Sequence, residues 1–327
     1  MNKTCIKNIL QKAENEIELS CEEAFSILDC PDEYLDEIIL TAFKIRRKYK
    51  GLNVEIQILS NAKSGNCSEN CFYCSQSASS KSEIEKYSLI SFEKLSLTSQ
   101  IAKQKKLSRH CIGLSGIYFS DKEIDDFAKL VREIKSKDQN PICCSIGFLT
   151  EEQAQKLKNA GVNRINHNLN TSRSFYPKIC STHTYDQRLQ NIERLQNIGF
   201  EICCGALFGL GEKKSDVVEL LFELKRLKPE SVPINFLIPI KGSIMEKADV
   251  SYLTCKYCLK ILSLARFLIP KSSIRCAAGR EIYFKDREKD LLSIVDSIFA
   301  SGYLTAEGES VDNTVKLIEE NGFSYCI

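Results

Sequence analysis

The chain of 327 residues is 43% hydrophobic and 27% charged, and its formal net charge is +2. This length is sufficient for one large domain with a single core. The nearly balanced charge gives no reason to expect a nucleic-acid partner or an acidic membrane surface. The N-terminus lacks the apolar stretch of a signal peptide, and no run of about eighteen apolar residues occurs. We expect a cytoplasmic protein without membrane association, folded as one domain over residues 1–327 with an N-terminal helical extension over about residues 1–50.

Helix-like and strand-like segments alternate after the N-terminal part of the chain. Leu35, Ile38 and Ile39 fall at helical spacing, so residues 32–49 are predicted to form an amphipathic helix. A strand-like run at residues 54–59 follows and leads directly into a loop with three cysteines. Further strands are predicted at residues 110–114, 141–147, 164–169, 201–208, 232–237 and 273–278.

Helices between these strands are indicated by capping-box pairs, in which a Ser or Thr precedes a Glu or Gln by three residues. Glycines then stand where two of the helices should end. Repeated strand and helix units predict an α/β fold, either a TIM-type barrel of parallel strands or a doubly wound sheet. The capping pairs are Ser120 with Glu123, Thr150 with Gln153, and Thr184 with Gln187, and the glycines are Gly161 and Gly199.

The loop after the first predicted strand contains Cys67, Cys71 and Cys74 in a C-x-x-x-C-x-x-C pattern. Three thiolates can bind three of the four irons of a 4Fe-4S cluster, which leaves the fourth iron open for a substrate. A structural zinc loop is the main alternative, but zinc usually takes a fourth ligand from a nearby short motif. No further Cys or His lies close to this loop in sequence, which favours the iron-sulfur cluster.

The chain has 16 cysteines, a number that points to metal or redox chemistry in a protein of this length without a signal peptide. Because strand side chains alternate between two faces, only one cysteine of an adjacent pair should face the interior of a barrel. Inward cysteines on separate strands could hold a second cluster, whereas the alternative is that all of them are buried core thiols. The strand cysteines are Cys111, the pairs Cys143–Cys144 and Cys203–Cys204, and Cys276.

The other cysteines fit no metal-binding pattern. Cys255 and Cys258 lie in a helical run, where their spacing favours core packing. The remaining five suggest nothing specific, and they are Cys5, Cys21, Cys30, Cys180 and Cys326.

From about Val54 to the C-terminus the sequence resembles the biotin synthases, a family of radical S-adenosylmethionine (SAM) enzymes. Each matching segment alone is only suggestive, but their order and spacing together are specific. The segments span residues 67–77, 166–172, 185–189, 205–212, 231–235 and 275–281.

The resemblance implies a radical SAM barrel with extra N-terminal helices, in which the three loop cysteines hold a 4Fe-4S cluster that binds SAM. Asn168, Asn235 and Arg109 match residues near the substrate or the second cluster. Asn170 departs from the family pattern, because Asp usually occupies this position and contacts the ribose of SAM. The residues implied to bind SAM are Tyr73, Asn168, Asn170, Arg188, Gly205 and Leu207.

The family also implies a second cluster inside the barrel, with Cys111, Cys143, Cys203 and Arg275 as ligands of a 2Fe-2S group that donates sulfur to dethiobiotin. If Cys276 turned inward instead of Arg275, four thiolates would suit a four-iron cluster with an extra sulfide. The catalytic residues implied are therefore the three loop cysteines and Arg275. Both forms of the second cluster remain open from the sequence.

The resemblance further implies a homodimer and a flavodoxin-type or ferredoxin-type electron donor. Two other functions stay open. The chain could be a different radical SAM enzyme, such as a hydrogenase-cofactor maturase or an amino-acid mutase, although those would not need all of Cys111, Cys143 and Cys203. It could also be a non-enzymatic cluster carrier or a zinc-stabilised scaffold.

Overall fold

A computed structural model describes residues 3–325, so Cys326 lies outside the described residues. It contains parallel strands that alternate with helices. The strands are β1 Glu55–Lys63, β2 Arg109–Leu114, β3 Ile142–Ser145, β4 Arg164–Asn166, β5 Glu201–Cys203, β6 Ala206–Phe208, β7 Ser231–Phe236, β8 Ser273–Cys276 and β9 Ser297–Ala300. The α-helices are α1 Lys3–Glu14, α2 Cys21–Asp29, α3 Leu35–Lys50, α4 Phe92–Gln104, α5 Asp121–Lys137, α6 Glu151–Ala160, α7 Tyr185–Asn197, α8 Lys214–Leu227, α9 Cys255–Leu268, α10 Arg280–Tyr283, α11 Glu288–Ile294 and α12 Val311–Glu320.

The strands form one closed barrel. Their order is β5-β4-β3-β2-β1-β9-β8-β7-β6, every pair is parallel, and a pairing of Cys203 with Ser231 closes the sheet between β5 and β7. The short strands β5 and β6 are two halves of one barrel strand that is interrupted at Gly205, which gives eight positions around the barrel. This architecture confirms the predicted TIM-type barrel and excludes the doubly wound sheet.

The N-terminal helices pack on one side of the barrel. Helix α3 lies against α9 and α11, while α2 contacts α8 and α9. The buried stripe of α3 includes Leu35, Ile38 and Ala42, as the helical periodicity predicts. The main core therefore fills the space between the barrel wall and the surrounding helices. Among the described helices, none is long and apolar enough to cross a membrane.

The helix starts predicted from capping boxes are confirmed. Ser120, Thr150 and Thr184 each accept a hydrogen bond from the backbone three residues later and begin α5, α6 and α7. Gly161 ends α6 in the left-handed region with a φ of 106°.

One strand, β9, has no counterpart among the predicted strands. Its outward residues Ile298 and Ala300 are apolar, its inward residues are the polar Ser297 and the apolar Phe299, and the run is only four residues long. Length and alternation were both too weak to indicate a strand.

Candidate active site

A cavity of about 280 Å³ occupies the end of the barrel where the strands finish at their carboxyl ends. Its mouth is formed by loops that follow the strands, including residues 73–76, 237–240 and 303–306. Its floor is formed by side chains inside the barrel. Ten of the residues predicted from the sequence line it together, and they are Tyr73, Cys74, Cys111, Cys143, Asn168, Asn170, Cys203, Leu207, Asn235 and Arg275.

Three thiols share the floor of this cavity. Cys111, Cys143 and Cys203 form a buried cluster of their own inside the barrel, separate from the main core. Cys111 pairs directly with Cys143 across β2 and β3, and its Sγ lies 3.1 Å from Oε1 of Gln57. Asn166 donates from Nδ2 to the Sγ of Cys203 at 3.2 Å. Three thiols at similar depth on separate strands are a suitable donor set for a lumenal iron-sulfur cluster.

The neighbours of these thiols face the opposite way. Cys144, Cys204 and Cys276 are fully buried in the main core, between the barrel wall and the helices. Strand alternation predicts this arrangement, because consecutive side chains point to opposite faces. The prediction that only one cysteine of each pair faces inward is confirmed.

Arg275 takes the fourth side of the three-thiol floor. Its Nη1 lies 3.9 Å from the Sγ of Cys203, and its other nitrogens donate to the hydroxyls of Ser297 and Ser231 at 3.1 and 3.0 Å. Strand β8 pairs in regular register on both sides, without a bulge that could re-aim Cys276. Of the two residues considered for the fourth position, Arg275 therefore lies in the lumen and Cys276 does not.

Hydrogen bonding gives the three floor thiols different pKa values. The contact between Cys111 and Cys143 lowers the pKa of Cys111 and raises the pKa of Cys143 to about 12. For Cys203, the contact with Cys143 and then burial raise the pKa.

Arg109 lies below this floor and does not line the cavity. It donates from Nη2 to the Glu201 carboxylate at 3.2 Å, and Arg164 reaches the same oxygen at 2.8 Å. Within the described part of the chain, one terminal nitrogen of each arginine is buried without a hydrogen-bond partner. The two guanidinium groups place positive charge beneath the three thiols, which favours their ionised form.

The three-cysteine loop leaves β1 through a sharp turn. Gly65 and Asn66 both have positive φ, at 69° and 51°, a region that suits Gly and is tolerated by Asn. The turn is fixed because Gly65 accepts from Ser115 Oγ at 2.6 Å and donates to Gln76 at 2.9 Å. Beyond it, Cys67 and Cys74 are half-buried and Cys71 is buried. Only Cys74 of the three lines the cavity.

Burial also affects the protonation of this loop. It raises the pKa of the Cys67 thiol and raises the pKa of Cys74 to about 11. Without a metal, both thiols are therefore protonated at neutral pH. A cluster that binds here must displace those protons.

The amide side chains at the mouth are held by hydrogen bonds to the backbone and to Tyr73. Asn170 adopts a positive φ of 69° and donates from Nδ2 to the hydroxyl of Tyr73 at 2.6 Å. Asn168 accepts at Oδ1 from the backbone of Gly205 at 3.0 Å. Asn235 bridges two strands, since it donates to the Ala206 carbonyl and accepts from the backbone N–H of Ala278. These side chains are therefore positioned before any ligand arrives.

Gly205 and Leu207 occupy the interrupted barrel strand. A Cβ at Gly205 would lie 1.8 Å from the carbonyl oxygen of Pro233, so only glycine fits this approach. Leu207 donates from its backbone N–H to the carbonyl of Asn170 at 2.7 Å and lines the cavity. The break in the strand thus holds the loop that carries Asn168 and Asn170.

Arg188 is buried behind the cavity wall on α7. Its Nε donates to the Tyr176 hydroxyl at 2.5 Å and lies 3.1 Å from Nε2 of His183, while Nη1 donates to the Asn168 carbonyl at 2.8 Å. Arg188 does not line the cavity, but it contacts the backbone of a residue that does.

Two residues beside the cysteine loop were missed by the sequence reasoning. Cys180 lies with its Sγ 3.8 Å from the Sγ of Cys71, and His183 lies with Nδ1 3.4 Å from the Sγ of Cys180. They are more than one hundred residues from the loop, and no local pattern marks them. No further Cys or His lies close to the loop in sequence, but the fold brings Cys180 and His183 beside it.

Family comparisons agree with this geometry. A model of the radical SAM superfamily matches residues 61–224, and one of the biotin and thiamin synthesis associated domain matches residues 233–324. Strands from both matched regions lie in the same barrel. The biotin synthase of Bacillus cytotoxicus is 41% identical over 302 residues, which are 92% of this chain and 90% of that protein. The biotin synthase of Bacillus subtilis strain 168 is 41% identical over 94% of this chain and 91% of its own length.

The chain belongs to the biotin synthase family. It is a radical SAM enzyme of the sulfurtransferase class, and the maturase and mutase alternatives are not favoured.

The fold is shared more widely. Methylornithine synthase superposes with a TM-score of 0.84 at 19% identity, covering 98% of this chain and 97% of that one. The FeFe-hydrogenase maturase HydG from Carboxydothermus hydrogenoformans superposes with a TM-score of 0.85 at 20% identity, and the match covers 99% of this chain and 79% of that one. Identities this low show the barrel alone.

Proposed function

We propose that this enzyme inserts sulfur between two unactivated carbons of dethiobiotin to form biotin, with SAM as the radical source. The observation that carries the proposal is the single cavity that joins Tyr73 and Cys74 at its mouth to Cys111, Cys143 and Cys203 at its floor. A substrate in this cavity would lie between a site for radical generation and a site for sulfur donation. Such positioning is what an insertion between unreactive carbons requires.

The first metal site would be Cys67, Cys71 and Cys74, which supply three thiolates and leave one position for SAM. The second would be Cys111, Cys143 and Cys203 with Arg275. When bound, the first cluster supplies the reductive cleavage of SAM and the second supplies the sulfur atom. The thiol donor sets fit these groups, because soft thiolates are the usual ligands of iron-sulfur clusters.

We favour a 2Fe-2S cluster at the second site. Three thiols face the lumen, and Arg275 occupies the fourth side with hydrogen bonds to two serines that hold its guanidinium in place. A four-iron cluster with a thiolate on every iron would need a fourth cysteine in the lumen, and Cys276 packs in the main core instead. The cation of Arg275 would also offset the charge of the thiolates around it.

The amide side chains would bind the two organic ligands. Asn168 has its Oδ1 engaged by Gly205 and Asn166, so its amide N–H groups are the part available to a ligand. Asn235 keeps one N–H and one lone pair beyond its two backbone bonds, which suits the ureido ring of the substrate. Tyr73, Asn170 and Leu207 line the side of the cavity near the cysteine loop and would contact SAM.

Two further residues would act from behind the cavity wall. Arg188 would pair with the carboxylate of SAM, a task suited to guanidinium, if the methionine part of SAM extends from the cavity toward α7. Arg109 would act as a positioning residue below the thiols, because it pairs with Glu201 and does not reach the cavity.

A direct test is product formation by anaerobically reconstituted protein. The protein is incubated with SAM, dithionite and dethiobiotin, and biotin and 5′-deoxyadenosine are measured by mass spectrometry. We expect both products, and we expect a Cys74→Ala variant to form neither. Deoxyadenosine without biotin would contradict the substrate assignment, while a colourless protein that retains zinc would contradict the radical chemistry.

Iron and sulfide counts test the nuclearity of the second cluster. About six irons per chain fit one four-iron and one two-iron cluster, whereas about eight would require a four-iron cluster in the lumen. The homodimer and the flavodoxin-type or ferredoxin-type electron donor remain predictions. Sedimentation analysis checks the first, and replacement of dithionite by each reduced donor checks the second.

A further inference from the structure

Behind the cysteine loop lies a second set of potential metal ligands. The ligand atoms of Cys71, Cys180 and His183 all lie within 4.8 Å of one another, and all three residues are buried. The carboxylate of Glu69 is next to them, with Oε2 2.5 Å from Nδ1 of His183. Within residues 3–325, Cys71, Cys180 and His183 form the one group of three Cys, His, Asp or Glu residues whose ligand atoms all lie this close together.

The sulfur–sulfur and sulfur–nitrogen separations match those of a tetrahedral site, whereas Oε2 of Glu69 is at hydrogen-bond distance from Nδ1 of His183. Zinc binds sulfur at about 2.3 Å and nitrogen at about 2.0 Å, so tetrahedral angles put two sulfurs about 3.8 Å apart and sulfur and nitrogen about 3.5 Å apart. Here the two sulfurs are 3.8 Å apart, and the Sγ of Cys180 lies 3.4 Å from Nδ1 of His183.

We propose that Cys71, Cys180 and His183 bind one divalent cation of the zinc class in the cluster-free chain, and that Oε2 of Glu69 leaves its hydrogen bond with His183 to become the fourth ligand. Binding releases the proton that Cys71 donates to Cys180, as metal binding to cysteines does. In the metal-free structure Nε2 of His183 accepts from Nε of Arg188 at 3.1 Å, so the ring proton lies on Nδ1 and is donated to Oε2 of Glu69. Binding of the cation through Nδ1 therefore requires that this proton move to Nε2, 2.8 Å from the hydroxyl oxygen of Tyr176. Metal-bound histidines are usually oriented by such a bond from the other ring nitrogen.

The neighbouring segment is already attached to the cysteine loop. Asn70 donates to the Ser181 hydroxyl at 2.7 Å and accepts from the Ser181 backbone at 3.0 Å, and Phe72 donates to the carbonyl of Ile179 at 3.0 Å. These bonds hold Cys180 and His183 in place whether or not a metal is bound. The donor set is therefore preorganised, which lowers the entropic cost of binding.

This site and the 4Fe-4S cluster exclude each other, because both need the thiolate of Cys71. The cation would hold the cysteine loop against residues 179–183 until the cluster is inserted, and excess zinc would compete with cluster assembly. Biotin formation by the cluster-loaded protein does not depend on this site. If this cation site does not exist, the proposed function is therefore unaffected.

Cobalt(II) is the probe for the test, because tetrahedral cobalt with thiolate ligands absorbs in the visible and near ultraviolet. Cluster-free protein is titrated anaerobically, and we expect one cobalt per chain with thiolate charge-transfer absorption. Cys180→Ser and His183→Gln should each weaken binding about tenfold or more. Cys67→Ser is the matched control, and it should bind cobalt as tightly as the unchanged chain. Retained binding in Cys180→Ser together with lost binding in Cys67→Ser would overturn the proposal.

A second measurement needs no variant. Bound cobalt should slow the alkylation of Cys71 and Cys180 relative to the metal-free protein while leaving the alkylation rates of Cys67 and Cys74 unchanged, which mass spectrometry of the labelled peptides distinguishes. Protection of Cys67 and Cys74 instead would place the cation in the cluster motif and contradict the site. The Cys180→Ser variant should still assemble the four-iron cluster, and its absorption spectrum checks that the variant is folded.

Discussion

Cys203 and Cys204 are consecutive in the chain, yet their thiols lie on opposite faces of the barrel wall. Cys203 faces the lumen with Cys111 and Cys143, whereas Cys204 packs in the main core under the helices. Both are fully buried. The pair therefore separates the chemistry of a thiol from its contribution to packing, since each residue serves as the control for the other.

Substitution of Cys203 by Ala should remove iron from the second site and lower biotin formation by more than about 100-fold, because even an outer partner of a metal ligand is worth about 10–100-fold. Cys204→Ala should keep the iron content of the second site and the rate of biotin formation within about twofold of the unchanged chain. It should cost only about 1 kcal/mol in the free energy of unfolding through lost packing. Iron analysis and product assays check this. Equal loss of iron in the two variants would contradict the separation of the two faces.

Asn170→Asp should strengthen SAM binding. The residue already lines the cavity and contacts Tyr73, and a carboxylate there could accept a charge-assisted hydrogen bond from a ribose hydroxyl. A gain of about 1 kcal/mol corresponds to a KM for SAM about fivefold lower. The measurement is deoxyadenosine formation against SAM concentration. Tyr73→Phe is the control that removes the partner hydroxyl, and an unchanged KM in Asn170→Asp would show that this position does not contact the ribose.

Gly205→Ala should destabilise the barrel. The new Cβ would meet the Pro233 carbonyl oxygen at 1.8 Å, so the interrupted strand would have to move away from β7. We expect a loss of about 1–3 kcal/mol in the free energy of unfolding, as for overpacked cores, together with weaker SAM binding. Gly211→Ala is the control, because no atom lies within 4 Å of its new Cβ and only its positive φ opposes the change. Denaturant titration of the two variants should rank Gly205→Ala as clearly the less stable.

Alkylation of Cys74 in the cluster-free protein should remain slow until high pH. Burial raises the pKa of this thiol to about 11, so the reactive thiolate is a minor species below that pH and its fraction rises tenfold per pH unit. An ordinary thiol with a pKa of about 8.5 would reach its full rate near pH 9 to 10. Labelling rates between pH 7 and 11, read by mass spectrometry, check this. A plateau near pH 9 would contradict the effect of burial.

Much of the chemistry was readable from local pattern. The spacing of Cys67, Cys71 and Cys74 indicates a cluster loop by itself, and alternation along a strand correctly separates inward from outward cysteines. The choice between Arg275 and Cys276 was open because a bulge could have reversed it. It depended on the register of β8 with both neighbouring strands, which is a property of the closed sheet.

The sequence by itself determined the alternating strand and helix order, the helix starts at Ser120, Thr150 and Thr184, and the likeness to biotin synthases. These follow from contacts within a few residues, which a linear pattern records. Only the tertiary structure decided that β9 completes the barrel, that Arg109 lies below the thiols, and that Cys180 and His183 stand beside Cys71. The physical reason is that barrel closure brings together side chains more than one hundred residues apart, through register and loop contacts that no local spacing encodes.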